Sequence, residues 1–264
     1  MSLELAGRVA LVTGSSRGIG RGIALGLAED GADVVVNYRK DADAAAEVVA
    51  AIQQMGRRAV AFSASVDQYE ECRTLVAEAV AAFGQLDIVV CNAGIASRGQ
   101  SVVASDPAEM ERVVRTHAFG AWYVCKEAVP HLRKRPRGDI VMISSAATQS
   151  FGANGAPYAM GKAALEALAF TLAKEERAHN IHVNIAAPGL VDTDMGKRLA
   201  KAVAGVQNLR DIDSNMPFGH VCQPADVANV VRFFCSAKAG YVTGERLYVH
   251  GGGQNWRAAA KGEG

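Results

Sequence analysis

Thirteen segments of alternating character predict an α/β fold, a doubly wound, parallel, seven-stranded Rossmann-type sheet with helices on both faces. Three observations carry this. Short β-rich apolar runs alternate with long stretches of helical spacing. The runs alternate only weakly between apolar and polar, as strands buried on both faces do. A glycine-rich turn separates the first strand from the first helix. In order, residues 9–12 are too short an apolar run for anything but a strand, and 19–29 show helical spacing. Strand 34–38 precedes helix 42–55, strand 59–63 precedes helix 68–83, and strand 88–91 precedes the long helix 107–132. Strand 140–144, helix 157–179, strand 182–186, helix 225–235 and strand 247–250 complete the pattern. Right-handed crossovers join parallel strands of this kind. No repeat, low-complexity block or linker interrupts the chain, so residues 1–264 read as one dinucleotide-binding and catalytic domain. Two stretches break the rhythm. Residues 193–224 are long and irregular, as substrate lids are. The tail from Gln254 is expected to fray or to dock on a partner subunit.

Of 264 residues, 50% are hydrophobic, enough for a large core. The net charge is +1, which favours neither nucleic acid nor an anionic membrane as partner. The basic run Arg133, Lys134, Arg135 and Arg137 suits a solvated helix end. Five scattered cysteines without a CxxC pair read as free buried thiols in a reducing cytoplasm. No metal signature occurs, because His179 and His182 straddle a helix-to-strand boundary. No signal-peptide pattern opens the chain, and no apolar stretch reaches membrane-spanning length.

Chemistry is concentrated in two places. The turn after residues 9–12 carries Gly14, Ser16, Arg17, Gly18, Ile19 and Gly20. Glycine there permits close approach of a pyrophosphate, whose charge meets a helix N-terminus. Farther on, Tyr158 and Lys162 stand at i and i+4, on one helix face. An ammonium there is expected to lower a phenol from its free value of about 10, making it a usable acid or base. Ser145, thirteen residues before Tyr158, supplies a hydroxyl that can hold a carbonyl oxygen.

These residues, with Asn92-Ala93-Gly94 and Pro188-Gly189, fall in the order of the short-chain dehydrogenase/reductase family, which the chain resembles over residues 6–253. The resemblance implies Tyr158 as general acid/base, Lys162 as its modulator and ribose ligand, and Ser145 as carbonyl holder. It implies that Asp67, beside Val66, contacts adenine. Asn92 and Gly94 support the adenosine ribose, and Asn184 is structural. Pro188, Gly189, Val191 and Thr193 lie toward the nicotinamide and pyrophosphate. It implies an oxidoreductase acting on a ketone, alcohol or acyl substrate, and a homotetramer, with a dimer as the alternative. The chain is similar to β-ketoacyl carrier-protein reductases and to general alcohol dehydrogenases of the family.

The family pattern is not kept everywhere. His117 stands where the family has an asparagine thought to hold a relay water. An imidazole there would bring an added titration near neutrality or be a packed helix histidine. His250 replaces an aspartate in the closing strand. At the end of the second strand Tyr38 occupies the place of the acid that selects NAD. With Arg17 and Arg39 nearby as a clamp for a 2′-phosphate, NADPH is expected, and NADH is the alternative. In the lid, Met195, Leu199, Val203, Val206, Leu209, Met216 and Phe218 suit either an apolar substrate or packing against the body. Lys197, Arg198 and Lys201 suit either a carrier phosphate or solvent.

Overall fold

The chain runs β1 (Val9–Val12), α1 (Gly18–Glu29), β2 (Asp33–Tyr38), α2 (Ala42–Gln54), β3 (Ala59–Ser63), α3 (Tyr69–Phe83) and β4 (Ile88–Cys91). It continues through α4 (Pro107–Val114), a π-helical turn (Arg115–Phe119), α5 (Gly120–Leu132), β5 (Gly138–Ile143), α6 (Ala147–Ser150) and α7 (Ala156–Glu176). Next come β6 (Ile181–Pro188), α8 (Asp194–Ala204), α9 (Pro224–Cys235) and β7 (Arg246–Val249). This computed structural model describes residues 3–253, with the side chains of Val203 and Ala204 left out. The expectations for the tail from Gln254 and for the Val203 side chain fall outside the described residues.

All seven strands are parallel, in the order β3-β2-β1-β4-β5-β6-β7. The order reverses between β1 and β4, so a crevice opens at the carboxyl ends of these strands. Two apolar layers hold the sheet. Leu11, Val89, Ile140 and Ile185 face Leu75, Val124, Leu165 and Ala169 of α3, α5 and α7. Val12, Val34, Val90 and Val141 face Ile23, Leu27, Val48, Ile52 and Val231 of α1, α2 and α9. Strands buried on both sides explain the weak alternation of the sequence.

Each expected strand is present, three with the expected bounds and the others with ends shifted by one or two residues. The expected helix 107–132 is not continuous. It widens into a π turn at Arg115–Phe119, where Gly120 N–H closes onto the Arg115 carbonyl. Such insertions in α-helices collect at functional sites, and this one carries His117. The 193–224 stretch is more regular than expected. Thr193 Oγ1 caps α8 by accepting from Gly196 N at 3.1 Å, and Gly205 ends it at φ +66°. Beyond it, Leu209, Ile212 and Val221 pack on Leu190 and Ala200, with Val206 and Met216 against them. Leu199 and Phe218 stay exposed. Among the described residues no helix is long and apolar enough to cross a membrane.

Candidate active site

At the carboxyl ends of β1, β2 and β4 the backbone ladder stops, and three side chains replace it. Asn37 is 1% exposed. Its amide donates to the carbonyls of Tyr38, Phe62 and Ala64 at 3.1 to 3.3 Å, and its oxygen accepts from Gly14 N at 3.0 Å. Asn92 Nδ2 donates to the carbonyls of Thr13 and Gly14 at 2.9 and 3.1 Å. Thr13 Oγ1 accepts from the backbone of Asn92 and Ala93. The glycine turn is therefore held from both sides before α1 begins.

The turn fits a dinucleotide. A Cβ on Gly20 would lie 2.4 Å from Asn92 Nδ2 and 2.5 Å from the Gly14 carbonyl, so only glycine lets α1 approach this closely. Gly14 and Gly18 have φ of +63° and +56°, conformations that glycine adopts without strain. Helix α1 has no side-chain cap and no acid in its first turn. Its leading N–H groups are left for an anion, as a pyrophosphate site requires. A Cβ on Gly18 would lie 3.4 Å from Thr193 Cγ2. The loop after β6 thus meets the glycine turn, with Pro188 and Gly189 leading to it. Val191 bridges to Cys222. Ser16 is buried and Ile19 packs on the sheet from α1. Tyr38 is half-buried and Arg39 exposed at the end of β2. Arg17 pairs with Asp41 at 3.1 Å, both side chains being exposed. Asp67 accepts from Ser65 Oγ at 2.8 Å, and Val66 is buried beside it.

The three expected reacting groups come together beyond β5. Ser145 follows the strand, half-buried, with Ala147 N donating to its Oγ at 3.2 Å. Tyr158 and Lys162 rise from the first turns of α7. Burial raises the Tyr158 phenol above its usual value, and a hydrogen bond with Ser145 works against that. The expected lowering by Lys162 is absent. The reason is geometric: Lys162 Nζ donates to the Ile143 carbonyl at 2.7 Å and stands 5.8 Å from the centre of the tyrosine ring. Burial lowers Lys162 to about 8, against the opposing charge of Glu166.

His117 is 1% exposed and edge-on to Tyr158, the ring centres 5.2 Å apart. Its Nε2 lies 2.8 Å from the Ile95 carbonyl and 3.3 Å from Ile95 N. Its Nδ1 has no partner. Gly94 and Gly161 make room for the ring: a Cβ on Gly94 would come within 2.5 Å of it, and one on Gly161 within 3.1 Å of its Cβ. Burial, and then the charge of Lys162, lower this histidine to about 3. The expected titration near neutrality is therefore corrected, because an imidazolium here would be desolvated and would face an ammonium.

Elsewhere, Asn184 ties β6 to the 242–245 turn, donating to Val242 O at 3.0 Å and accepting from Glu245 N at 3.1 Å. His250 Nε2 meets Gln149 Oε1 at 3.2 Å. Two residues at the site escape a motif-based reading. Asn37 is the one polar residue among the buried positions of β2, and Glu166 is a buried acid one turn past Lys162 in the apolar body of α7. A charged or amide side chain in such a setting needs partners, and that is the signal that finds both. Among the described residues no cluster of His, Cys, Asp or Glu could hold a metal ion.

Comparison with known proteins agrees with this fold. Residues 14–254 match the family model described as enoyl-(acyl carrier protein) reductase. The chain is 35% identical over 243 residues to the 3-oxoacyl-acyl-carrier-protein reductase FabG of Staphylococcus aureus, covering 92% of this chain and 96% of that protein. It superposes on 7α-hydroxysteroid dehydrogenase complexed with NADH and 7-oxo glycochenodeoxycholic acid with a TM-score of 0.87, at 33% identity and 97% coverage of both chains. A short-chain dehydrogenase from Burkholderia cenocepacia in complex with NADP gives 0.84 at 37% identity, covering 94% of this chain and 98% of that one.

The neutral His117 has a consequence for acid stability. An unfolded chain carries an ordinary histidine near 6.5, whereas the folded value is about 3. Between these values the unfolded state binds the extra proton, so stability falls as pH drops through that window. His117→Asn should remove roughly a few kcal/mol of that acid loss. Urea denaturation at stepped pH reads it. Equal acid slopes for the two proteins would show that the imidazole is protonated in the fold.

Proposed function

The chain belongs to the short-chain dehydrogenase/reductase family of oxidoreductases, and we propose that within it the protein is an NADPH-dependent reductase of ketone or β-ketoacyl carbonyls, reversible as an alcohol dehydrogenase. The observation that carries the reading is the convergence of Ser145, Tyr158 and Lys162 beside the glycine turn. Bound nicotinamide supplies the hydride. Ser145 Oγ–H donates to the carbonyl oxygen and stabilises the charge that grows there. Tyr158 Oη–H gives that oxygen its proton. Lys162 is the fixed positive charge behind the phenol and the ligand for the nicotinamide ribose. A phenol held above its ordinary value carries its proton at neutral pH, the state that reduction consumes. Oxidation needs the phenolate, so its rate should climb as pH rises.

Several observations support the cofactor assignments. The turn carries Gly14, Ser16, Gly18, Ile19 and Gly20, Asn92 is hydrogen-bonded to it and Thr193 meets Gly18; Gly94, Pro188, Gly189, Val191, Val66 and Asp67 are assigned to the cofactor by the resemblance to the family. For the 2′-phosphate, Tyr38 places no charge against it and Arg39 is exposed. Arg17 is engaged with Asp41, but an exposed pair of this kind is worth only about 0 to 1 kcal/mol. A phosphate can draw the guanidinium away. His117 we assign to positioning: its ring braces Tyr158 and its Nε2 fixes the loop at Ile95. A substrate lid at 193–224 is supported by exposed Phe218 and Leu199. A homotetramer is supported by Phe119 at the end of the π turn, Trp122 on α5 and Met160 on α7, apolar and exposed. A dimer is the alternative, and sedimentation equilibrium separates them from a monomer, which would overturn the assembly.

Two substitutions test the chemistry and the cofactor. Tyr158→Phe should lower turnover of a good ketone by about a hundredfold or more, with dinucleotide affinity nearly unchanged. Retention of most turnover would assign the proton to another group. Tyr38→Asp combined with Arg39→Ala should move preference from NADPH toward NADH, because a carboxylate repels the 2′-phosphate. The measurement is kcat/KM for each dinucleotide. Equal or better use of NADH by the unmodified protein contradicts the assignment.

A further inference from the structure

Glu166 has no part in the reaction as drawn so far, yet it is 5% exposed and takes hydrogen bonds from three other elements. Ser144, just past β5, donates from Oγ to Oε1 at 2.5 Å. Thr148 Oγ1 of α6 lies 2.7 Å from the same oxygen, and its single proton also has the Ser145 carbonyl within reach at 2.8 Å. Arg246 of β7 donates from Nη1 to Oε2 at 2.6 Å. One carboxylate oxygen thus brackets Ser145, from the residue before it and from three residues after. Arg246 in turn lies over the Tyr248 ring at 4.8 Å, and Tyr248 stacks on His250 at 5.1 Å. His250 reaches Gln149, so the residue just past β7 grips the serine segment a second time.

Burying a carboxylate costs more than burying an apolar side chain of similar size, even when it is paired. On α7 the carboxylate continues a single face: Tyr158, Lys162 and Glu166 are spaced four apart. We propose that Glu166 is a positioning residue for the reaction, fixing the Ser145 hydroxyl through Ser144 and Thr148. The inference rests on the reading of Ser145, Tyr158 and Lys162 as the reacting groups.

The sign of the charge effect follows from the neighbours. Lys162 is faced by Glu166 and Tyr158 on α7, by Cys91 on β4 and by His117 on the π turn. Glu166 is faced by Lys162 on α7, Ser144 after β5, Thr148 on α6 and Arg246 on β7. Burial already lowers Lys162 to about 8, and Glu166 is the larger of the two influences that raise it. Removing that negative charge lowers Lys162 further. The ammonium is then lost at lower pH, and the alkaline limb of the rate profile moves down.

The test uses the full chain with NADPH and ethyl acetoacetate as the probe ketone, comparing Glu166→Gln, Ser144→Ala and Tyr158→Phe. Glu166→Gln should lower kcat about tenfold, leave KM for NADPH unchanged and move the alkaline limb to lower pH. Ser144→Ala should lower kcat several-fold without moving the limb. Amide hydrogen exchange over residues 144–148 should quicken in both of these variants and stay unchanged in Tyr158→Phe. A Glu166→Gln enzyme with the original kcat and limb, beside an inactive Tyr158→Phe, overturns the proposal. Should Tyr158→Phe stay active, the reading of the reacting groups fails, and exchange over 144–148 still judges the clamp. If Glu166→Gln does not fold, Ser144→Ala decides: unchanged kcat and unchanged exchange overturn the clamp.

Discussion

A parallel strand that ends inside a protein leaves N–H and C=O groups with no strand to pair with, and this protein answers several such groups with a side chain. Asn37 closes β2, Thr13 and Asn92 close β1 and β4, and Asn184 ties β6 to the turn before β7. Beyond β5, Ser144 turns its hydroxyl to Glu166. A buried backbone group without a partner costs as much as a lost hydrogen bond, so these side chains are structural obligations first. They also fix the loops after each strand to the rigid sheet. The functional residues all sit on those loops or on the helices that follow them, and their precision comes from the strand ends.

The electrostatics of α7 follow from the same burial. An ammonium placed behind β5 loses hydration, and Lys162 is lowered accordingly. It recovers part of that loss from the Ile143 carbonyl and from the charge of Glu166. The phenol of Tyr158, without an ammonium at its oxygen, is raised. The two groups therefore stand with their protons on at neutral pH. That is the state a proton donor to a developing alkoxide requires. His117 fits the same logic, since an imidazole pressed against Gly94 and Gly161 near Lys162 stays neutral.

Much of this was legible in the sequence because it is local. Strand-to-helix alternation, the glycines of the turn, and Tyr158 four residues before Lys162 each express a periodicity or a backbone conformation that residue type alone dictates. The seven strands and the glycine turn follow from it. What was not legible depends on contacts between distant residues. Nothing near Glu166 in the chain announces Arg246, eighty positions on. The lowering of Tyr158 by Lys162 was argued from helix spacing, but spacing does not say which acceptor a flexible ammonium chooses, and the Ile143 carbonyl is nearer. The π turn at His117 broke a helix that the apolar period carries straight through. Helix α8 was readable from Thr193 and Gly205 as its caps, but its mixture of apolar and charged residues reads as irregular.

The account's central claim is that these strand-end residues assemble a site for hydride transfer to a carbonyl. Reduction of ethyl acetoacetate with NADPH deuterated at the transferring position of the nicotinamide ring tests it directly, with mass spectrometry of the product. The account predicts an alcohol carrying one deuterium on the carbinol carbon, formed in step with cofactor oxidation. Cofactor oxidation without a deuterated alcohol, or no oxidation with any ketone or alcohol offered, would contradict it.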